Sequence, residues 1–275
     1  MSMQSDLNIT LVQCDLMWEN PQANRYKIEQ LLDESSPSTD LILLPEMFPT
    51  GFTMNNTELA ELPGGESFKW MVRMAKKHAA VIAGSVITRV PNTGGSDLYY
   101  NRLYWVNPDG TYHTYDKRHL FSFAGENNHY SAGNERLIAT VKGWKVCPLI
   151  CYDLRFPVWS RNASLDGEPI DFEYDVLCYV ANWPEARQRA WVTLLEARAH
   201  ENQCYVAGVN RSGVDGNSIA YKGESAVYSP KGEKLYSAGS ELNLVKTLTL
   251  SRDELISFRE KFGAWKDKDT FRLFR

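Results

Sequence analysis

Val146-Cys147-Pro148-Leu149-Ile150-Cys151-Tyr152-Asp153-Leu154-Arg155-Phe156 runs from an unbroken apolar stretch straight into a thiol, an acid and a base. A short continuous apolar run is what a strand buried on both faces requires, and such strands belong to sheets covered by helices. Leu41-Ile42-Leu43-Leu44, ended by Pro45, has the same character, as do Val176 to Val180 and Cys204 to Val209. Ile9 to Leu16 and Val81 to Val90 read as further strands. Leu98 to Val106 and Thr111 to Tyr115 form a hairpin around Asn107-Pro108-Asp109-Gly110. Ala226 to Tyr228, the turn Ser229-Pro230-Lys231-Gly232 and Leu235 give a second hairpin, and Leu242 to Leu250 alternates like an edge strand.

Helices fall between these strands. Asn20-Pro21 opens one through about Leu32, with Pro21 suited to the first turn. Glu66 to Ala80 carries Phe68, Met71, Val72 and Ala75 at helical spacing. Ala186 to Asn202 carries Trp191, Leu194, Leu195 and Arg198 along one side, and Arg252 to Phe262 is a final helix. Interleaved strands and helices predict an α/β fold, and with no linker or repeat the whole chain, 1–275, reads as a single domain. Periodicity leaves open whether it holds one sheet or two.

The 275 residues are 43% hydrophobic and 23% charged, with a formal net charge of −4. A single domain of this length buries roughly 75% of its unfolded surface. The charge balance and the lack of a Lys/Arg cluster argue against nucleic acid and anionic membranes as partners. No apolar run approaches the ~18 residues of a membrane span. The polar stretch Met1 to Asp6 has no signal-peptide character, so the cytoplasm is the expected location. Five cysteines, mostly inside apolar runs, read as buried thiols in a reducing compartment. None has a spacing that points to zinc.

Three strand ends deliver reactive groups, and strand ends are where α/β proteins assemble sites. Leu41-Ile42-Leu43-Leu44-Pro45-Glu46 presents a carboxylate, Thr114-Tyr115-Asp116-Lys117-Arg118-His119-Leu120 an ammonium, and the opening segment the thiol of Cys151. Taken singly, each has a plain alternative: a buried inert cysteine, a carboxylate capping a strand end, a solvated lysine. Cys151 on a tight elbow ahead of a helix would be expected to have a lowered thiol pKa and oxyanion donors nearby. Glu46, partly desolvated behind four apolar residues, is expected to shift upward into the range of a general base. Together the three compose a machine: Cys151 attacks a carbonyl or nitrile carbon, Glu46 carries the proton, Lys117 stabilises the developing oxyanion. His119 and His129 offer a Cys–His protease dyad instead, but that reading leaves Glu46 and Lys117 without a task.

Leu43-Leu44-Pro45-Glu46-Met47-Phe48, Tyr115-Asp116-Lys117-Arg118-His119-Leu120-Phe121 and Ile150-Cys151-Tyr152-Asp153-Leu154-Arg155-Phe156-Pro157 resemble the glutamate, lysine and cysteine motifs of the nitrilase, or carbon–nitrogen hydrolase, superfamily. They stand in its order, and the resemblance extends over nearly the whole chain, including the Gln13 strand and the Trp191 to Asn202 helix. It implies a four-layer αββα sandwich paired into a homodimer, with no metal and no organic cofactor. It implies a second glutamate, best matched by Glu126 although Glu135 lies nearby, and a backbone N–H of Tyr152 in the oxyanion hole. Ala181-Asn182-Trp183-Pro184, Arg187-Gln188-Arg189-Ala190-Trp191, Phe121-Ser122-Phe123-Ala124-Gly125-Glu126 and Asn210-Arg211-Ser212-Gly213 resemble the omega-amidase branch. That branch hydrolyses the terminal amide of dicarboxylate monoamides such as 2-oxoglutaramate, 2-oxosuccinamate and succinamate. Such a substrate needs a cation for its free carboxylate, and Arg155, Arg187 and Arg211 are the candidates. Arg155 has a competing reading as half of a structural ion pair. Trp183 and Phe123 are candidates to wall the pocket, or to serve as core or interface. Another small amide, a carbamoyl compound or a nitrile is the alternative substrate, and a non-catalytic scaffold the alternative of a different class.

Overall fold

The computed structural model describes residues 5–165, 167–169 and 171–269, so part of the polar Met1 to Asp6 stretch lies outside the described residues. The chain opens with β1 (Leu7–Cys14), α1 (Pro21–Ser35), β2 (Leu41–Leu43), α2 (Asn56–Leu59), α3 (Glu66–His78), β3 (Val81–Val90), β4 (Leu98–Val106) and β5 (Tyr112–Asp116). It continues with β6 (Ala139–Val141), β7 (Trp144–Ile150), β8 (Val176–Ala181), α4 (Gln188–Asn202), β9 (Tyr205–Asn210), β10 (Ser212–Val214) and β11 (Ala220–Lys222). It ends with β12 (Ala226–Tyr228), β13 (Lys234–Ser237), β14 (Asn243–Leu250) and α5 (Arg252–Lys261).

Two six-stranded sheets form, in the orders β14-β1-β2-β3-β4-β5 and β13-β12-β9-β8-β7-β6. In each, the central strands are parallel and the flanking ones antiparallel. Strand parity shows how the layers stack. Leu7, Ile9 and Leu11 of β1, Leu41 and Leu43 of β2, and Val81 and Ala83 of β3 join the core that contains the second sheet. Their alternates, Val12, Cys14, Ile42 and Ile82, face Ile28 and Leu32 of α1 and Met71, Met74 and Ala75 of α3. On the far side, Trp191, Leu195 and Ala199 of α4 and Leu255 of α5 cover the second sheet. The result is the four-layer αββα sandwich. A Cβ on Gly208 of β9 would lie 2.6 Å from Leu195 Cδ1 and 2.7 Å from Trp191 Cζ2, so glycine there lets α4 seat closely.

The expected elements hold with shifts of a few residues. Asn20 caps α1 through its side chain, which accepts from Ala23 N–H at 3.1 Å. The long helix expected from Ala186 starts instead at Gln188, after a single 3-10 turn over Glu185–Arg187. Sequence reading left out β6, β10, β11 and α2. Each is only three or four residues long, too short for a periodic signal. All five cysteines are buried and free, as expected of reduced thiols.

Candidate active site

The site grows from three chain reversals. Beyond β2, Met47 takes a left-handed φ of 41°, and its N–H donates to Ser85 Oγ at 2.7 Å, which fixes the turn carrying Glu46. Just past β5, Lys117 donates its N–H to the carbonyl of Asn101 at 3.0 Å and accepts from Gly133 N–H at 2.9 Å. Gly133 packs against the Asp116 carbonyl so tightly that no side chain fits there. At the end of β7 the backbone turns at once into a 3-10 helix over Cys151–Arg155, with Cys151 itself at a φ of 43°. A non-glycine residue held left-handed costs on the order of 1–3 kcal/mol and persists only where its surroundings impose it.

These reversals bring Glu46, Lys117 and Cys151 together in the sandwich interior. Lys117 Nζ lies 2.8 Å from Glu46 Oε1 and 3.0 and 2.9 Å from the two oxygens of Glu126. All three side chains are closed to solvent. Burial alone would lower the lysine pKa, but the charges of Glu126 and Glu46 outweigh it and hold the ammonium protonated. Burial pushes the Glu126 carboxyl up, Lys117 draws it back, and the Glu46 charge raises it further. Glu126 Oε2 also accepts from Phe121 N–H at 2.5 Å. Glu135 is exposed, so Glu126 is the second glutamate that meets the lysine.

Sequence reading missed two amides that complete the cluster. Asn101 Nδ2 donates to Glu46 Oε1 at 2.7 Å and reaches Glu126 Oε1 at 3.3 Å. Asn182 donates its N–H to Glu46 Oε2 at 2.9 Å and its side-chain Nδ2 to the Glu46 carbonyl at 2.5 Å. A signal for Asn101 was present. It has the parity of Leu103 and Trp105 on β4, so a polar residue stands at a core-facing position.

The expectation for the thiol needs correction. The elbow was expected to lower the Cys151 pKa. Instead burial, followed by the nearby Glu46 charge, pushes it well above 9, and Lys117 only partly opposes this. The resting group is a neutral thiol beside the Glu46 carboxylate. Its alkylation by neutral iodoacetamide is therefore expected to keep rising through pH 9, with no plateau near neutrality. Stopped-flow or quenched labelling across pH 6–9.5 checks this; a plateau below pH 7 would instead indicate a preformed thiolate. The histidines offer no preformed ion pair to the thiol. His119 Nδ1 meets Asp153 Oδ1 at 2.8 Å with its ring stacked on Phe156, and His129 is exposed.

Cys151, Glu46 and Lys117 line a cavity of about 540 Å³. Tyr152, Arg155, Trp183, Phe123 and Arg187 all line it. Trp183 is buried and Phe123 is 80% exposed, so the tryptophan belongs to the inner wall and the phenylalanine to the mouth. The guanidinium of Arg155 lies 5.0 Å from the Trp183 ring and that of Arg187 4.8 Å from the Phe123 ring. Among the described residues neither arginine has a carboxylate within ion-pair distance, so the competing reading of Arg155 as half of an ion pair fails. Arg211 is corrected as a substrate ligand. It is fully buried, pairs with Asp15 at 3.0 Å and donates to the carbonyls of Leu16, Ser212 and Val214. Trp18, Glu19, Asp215 and Tyr221 also line the cavity. Trp18 and Glu19 come from the turn ahead of α1, Asp215 from the β10–β11 connection and Tyr221 from β11, and nothing local marks them.

Buried between two sheets, with a thiol, an ammonium and two carboxylates converging on a cavity, the site suits attack on a carbon bearing nitrogen. The sequence pattern of the carbon–nitrogen hydrolases matches residues 8–260, and the chain belongs to that family. The omega-amidase YafV of Escherichia coli strain K12 is 46% identical to it over 98% of this chain and 99% of that protein. The 2-oxoglutaramate amidase of Bacillus subtilis strain 168 is 34% identical over 94% and 96% of the respective chains. Among solved structures, a CN-hydrolase superfamily protein of Xanthomonas campestris with an arsenic adduct in its active site superposes with a TM-score of 0.92. It is 42% identical, covering 98% of this chain and all of that one.

Proposed function

We propose that this protein is an omega-amidase that hydrolyses the terminal amide of small dicarboxylate monoamides, such as 2-oxoglutaramate, 2-oxosuccinamate and succinamate, to the acid and ammonia. The observation that carries this reading is the pairing of the Glu46–Lys117–Cys151 cluster with two arginines that line the same cavity without a carboxylate partner. The curated omega-amidase and 2-oxoglutaramate amidase relatives, similar over nearly their whole lengths, support the substrate class.

In this mechanism the substrate's free carboxylate pairs with Arg155 or Arg187, which places the amide carbon at Cys151. The Cys151 proton passes to Glu46 as sulfur attacks, so no free thiolate is needed beforehand. The oxyanion is met by Lys117 Nζ and the N–H of Tyr152, a donor in the first turn of the 3-10 helix. Glu46 then hands the proton to the departing nitrogen, and ammonia leaves a thioester on Cys151. Water, deprotonated by Glu46, attacks the thioester, and the acid departs as the thiol is restored. Glu126 holds the far side of Lys117. The reading includes the whole chain as one catalytic domain, working as a homodimer in the cytoplasm. Among the described residues, no helix is long and apolar enough to cross a membrane.

The test is ammonia release from 2-oxoglutaramate, succinamate, asparagine, glutamine and a simple aliphatic nitrile. Turnover is expected for the first two, with little for the nitrile. Replacing the arginine that binds carboxylate, by Arg155→Met or Arg187→Met, is expected to raise KM for succinamate about 10–100-fold, the loss of a charge-assisted bidentate pair. Turnover of uncharged butyramide should change little. Equal effects on both amides would reject the carboxylate-binding role.

A further inference from the structure

Behind the elbow, facing away from the cavity, lies a buried carboxylate that the mechanism above does not use. Asp153 is fully buried and does not line the cavity. Its Oδ2 accepts from Ile150 N–H at 3.0 Å and from the Tyr115 hydroxyl at 2.7 Å. Its Oδ1 accepts from His119 N–H at 3.0 Å and faces His119 Nδ1 at 2.8 Å. Four partners fill the acceptor capacity of a carboxylate.

The identity of those partners gives the arrangement its meaning. Ile150 immediately precedes Cys151, while Tyr115 and His119 stand two residues before and two residues after Lys117. One carboxylate therefore ties the backbone that carries the thiol to the backbone that carries the ammonium. Those segments belong to different sheets, β7 in one and β5 in the other. The Tyr115 hydroxyl extends the tie, accepting from Trp159 Nε1–H at 3.0 Å and from Arg118 N–H at 3.2 Å. Apolar packing between sheets is non-directional. Hydrogen bonds to backbone N–H groups add a preferred distance and angle.

We propose that Asp153 is a positioning residue that sets the separation of Lys117 from Cys151 and holds Cys151 in its left-handed conformation. It rests on the roles given above to Lys117 and Cys151. A misplacement of about 1 Å between reacting groups costs on the order of 100-fold in rate. Substrate carboxylate binding lies on the cavity side, so the loss should fall on kcat.

Asp153→Asn tests this, because the amide must turn an N–H toward one of the donor pairs whichever way it faces. With the panel amide that wild-type protein turns over fastest, kcat is expected to fall at least 30-fold with KM within threefold, in protein folded by circular dichroism. Tyr115→Phe, which removes one donor from Asp153 and the shared acceptor of Trp159 Nε1–H and Arg118 N–H with little change of shape, is expected to lower kcat about tenfold with KM unchanged; it decides the matter if Asp153→Asn does not fold. Folded variants with kcat within threefold of wild type would overturn the proposal. So would parallel changes in kcat and KM, which would mark a general distortion of the site. If wild-type protein ignored the dicarboxylate monoamides but hydrolysed another amide, the substrate reading would fall while this measurement still stood.

Discussion

Cys151→Ala is expected to abolish turnover, with kcat reduced on the order of 10⁶-fold, as when a catalytic nucleophile is deleted from a hydrolase of the serine type. Glu46 and Lys117 remain in place, yet neither presents an atom that can form an acyl intermediate and be released from it by water at comparable speed. Folding should survive, because the thiol is a small buried group. The substituted alanine keeps the left-handed φ of 43°, so its strain is unchanged. Ammonia release under saturating succinamate, with a melting curve beside it, checks both halves. Residual turnover within 100-fold of wild type in a folded protein would reject Cys151 as nucleophile.

Lys117→Met is expected to damage activity and stability together. The loss of one oxyanion donor is worth about 10²–10³ in kcat. The stability effect arises because Glu46 and Glu126, both closed to solvent, would then face each other without their shared cation. Breaking a buried ion pair from one side costs about 3–5 kcal/mol. The pH dependence has a definite sign. The folded-state pKa of Glu126 already lies above its ordinary value, and removing the cation raises it further. The native state then binds more protons than the unfolded chain, so stability falls as pH rises through that window and recovers as pH falls toward about 4.5. Melting the variant at pH 5 and pH 8 checks this; a larger deficit at pH 5 would contradict it. Lys117→Arg would not be a mild control. A planar guanidinium does not fit the compact space that an ammonium shares with two carboxylates.

A thiol raised by burial beside a carboxylate is expected to be activated only during attack, unlike a thiolate stabilised in advance by a histidine. The buried ammonium is the counterweight. It stays protonated against its own burial because both carboxylates lie within hydrogen-bond reach, and it draws the burial-raised Glu126 carboxyl back down.

The sequence by itself determined the interleaved α/β order, most of the strands and helices, and the three reactive strand ends. Apolar runs such as Leu41 to Leu44 and Val146 to Ile150 state their burial locally, and a reactive residue at the end of such a run can be found without knowing what faces it. The choice of Glu126 came from resemblance, and burial of its side chain against Lys117 explains it. Only the tertiary structure decided the rest. Residues 46, 101, 117, 126, 151 and 182 meet because two sheets stack, and stacking is a long-range property that periodicity does not encode. The same is true of charge. Arg155, Arg187 and Arg211 look alike in sequence, yet the fold gives Arg211 an aspartate and three carbonyls while leaving the other two at a cavity wall. The thiol shows it most plainly: an elbow ahead of a helix predicts a lowered pKa, but the depth of burial, which depends on every layer of the sandwich, reverses the sign.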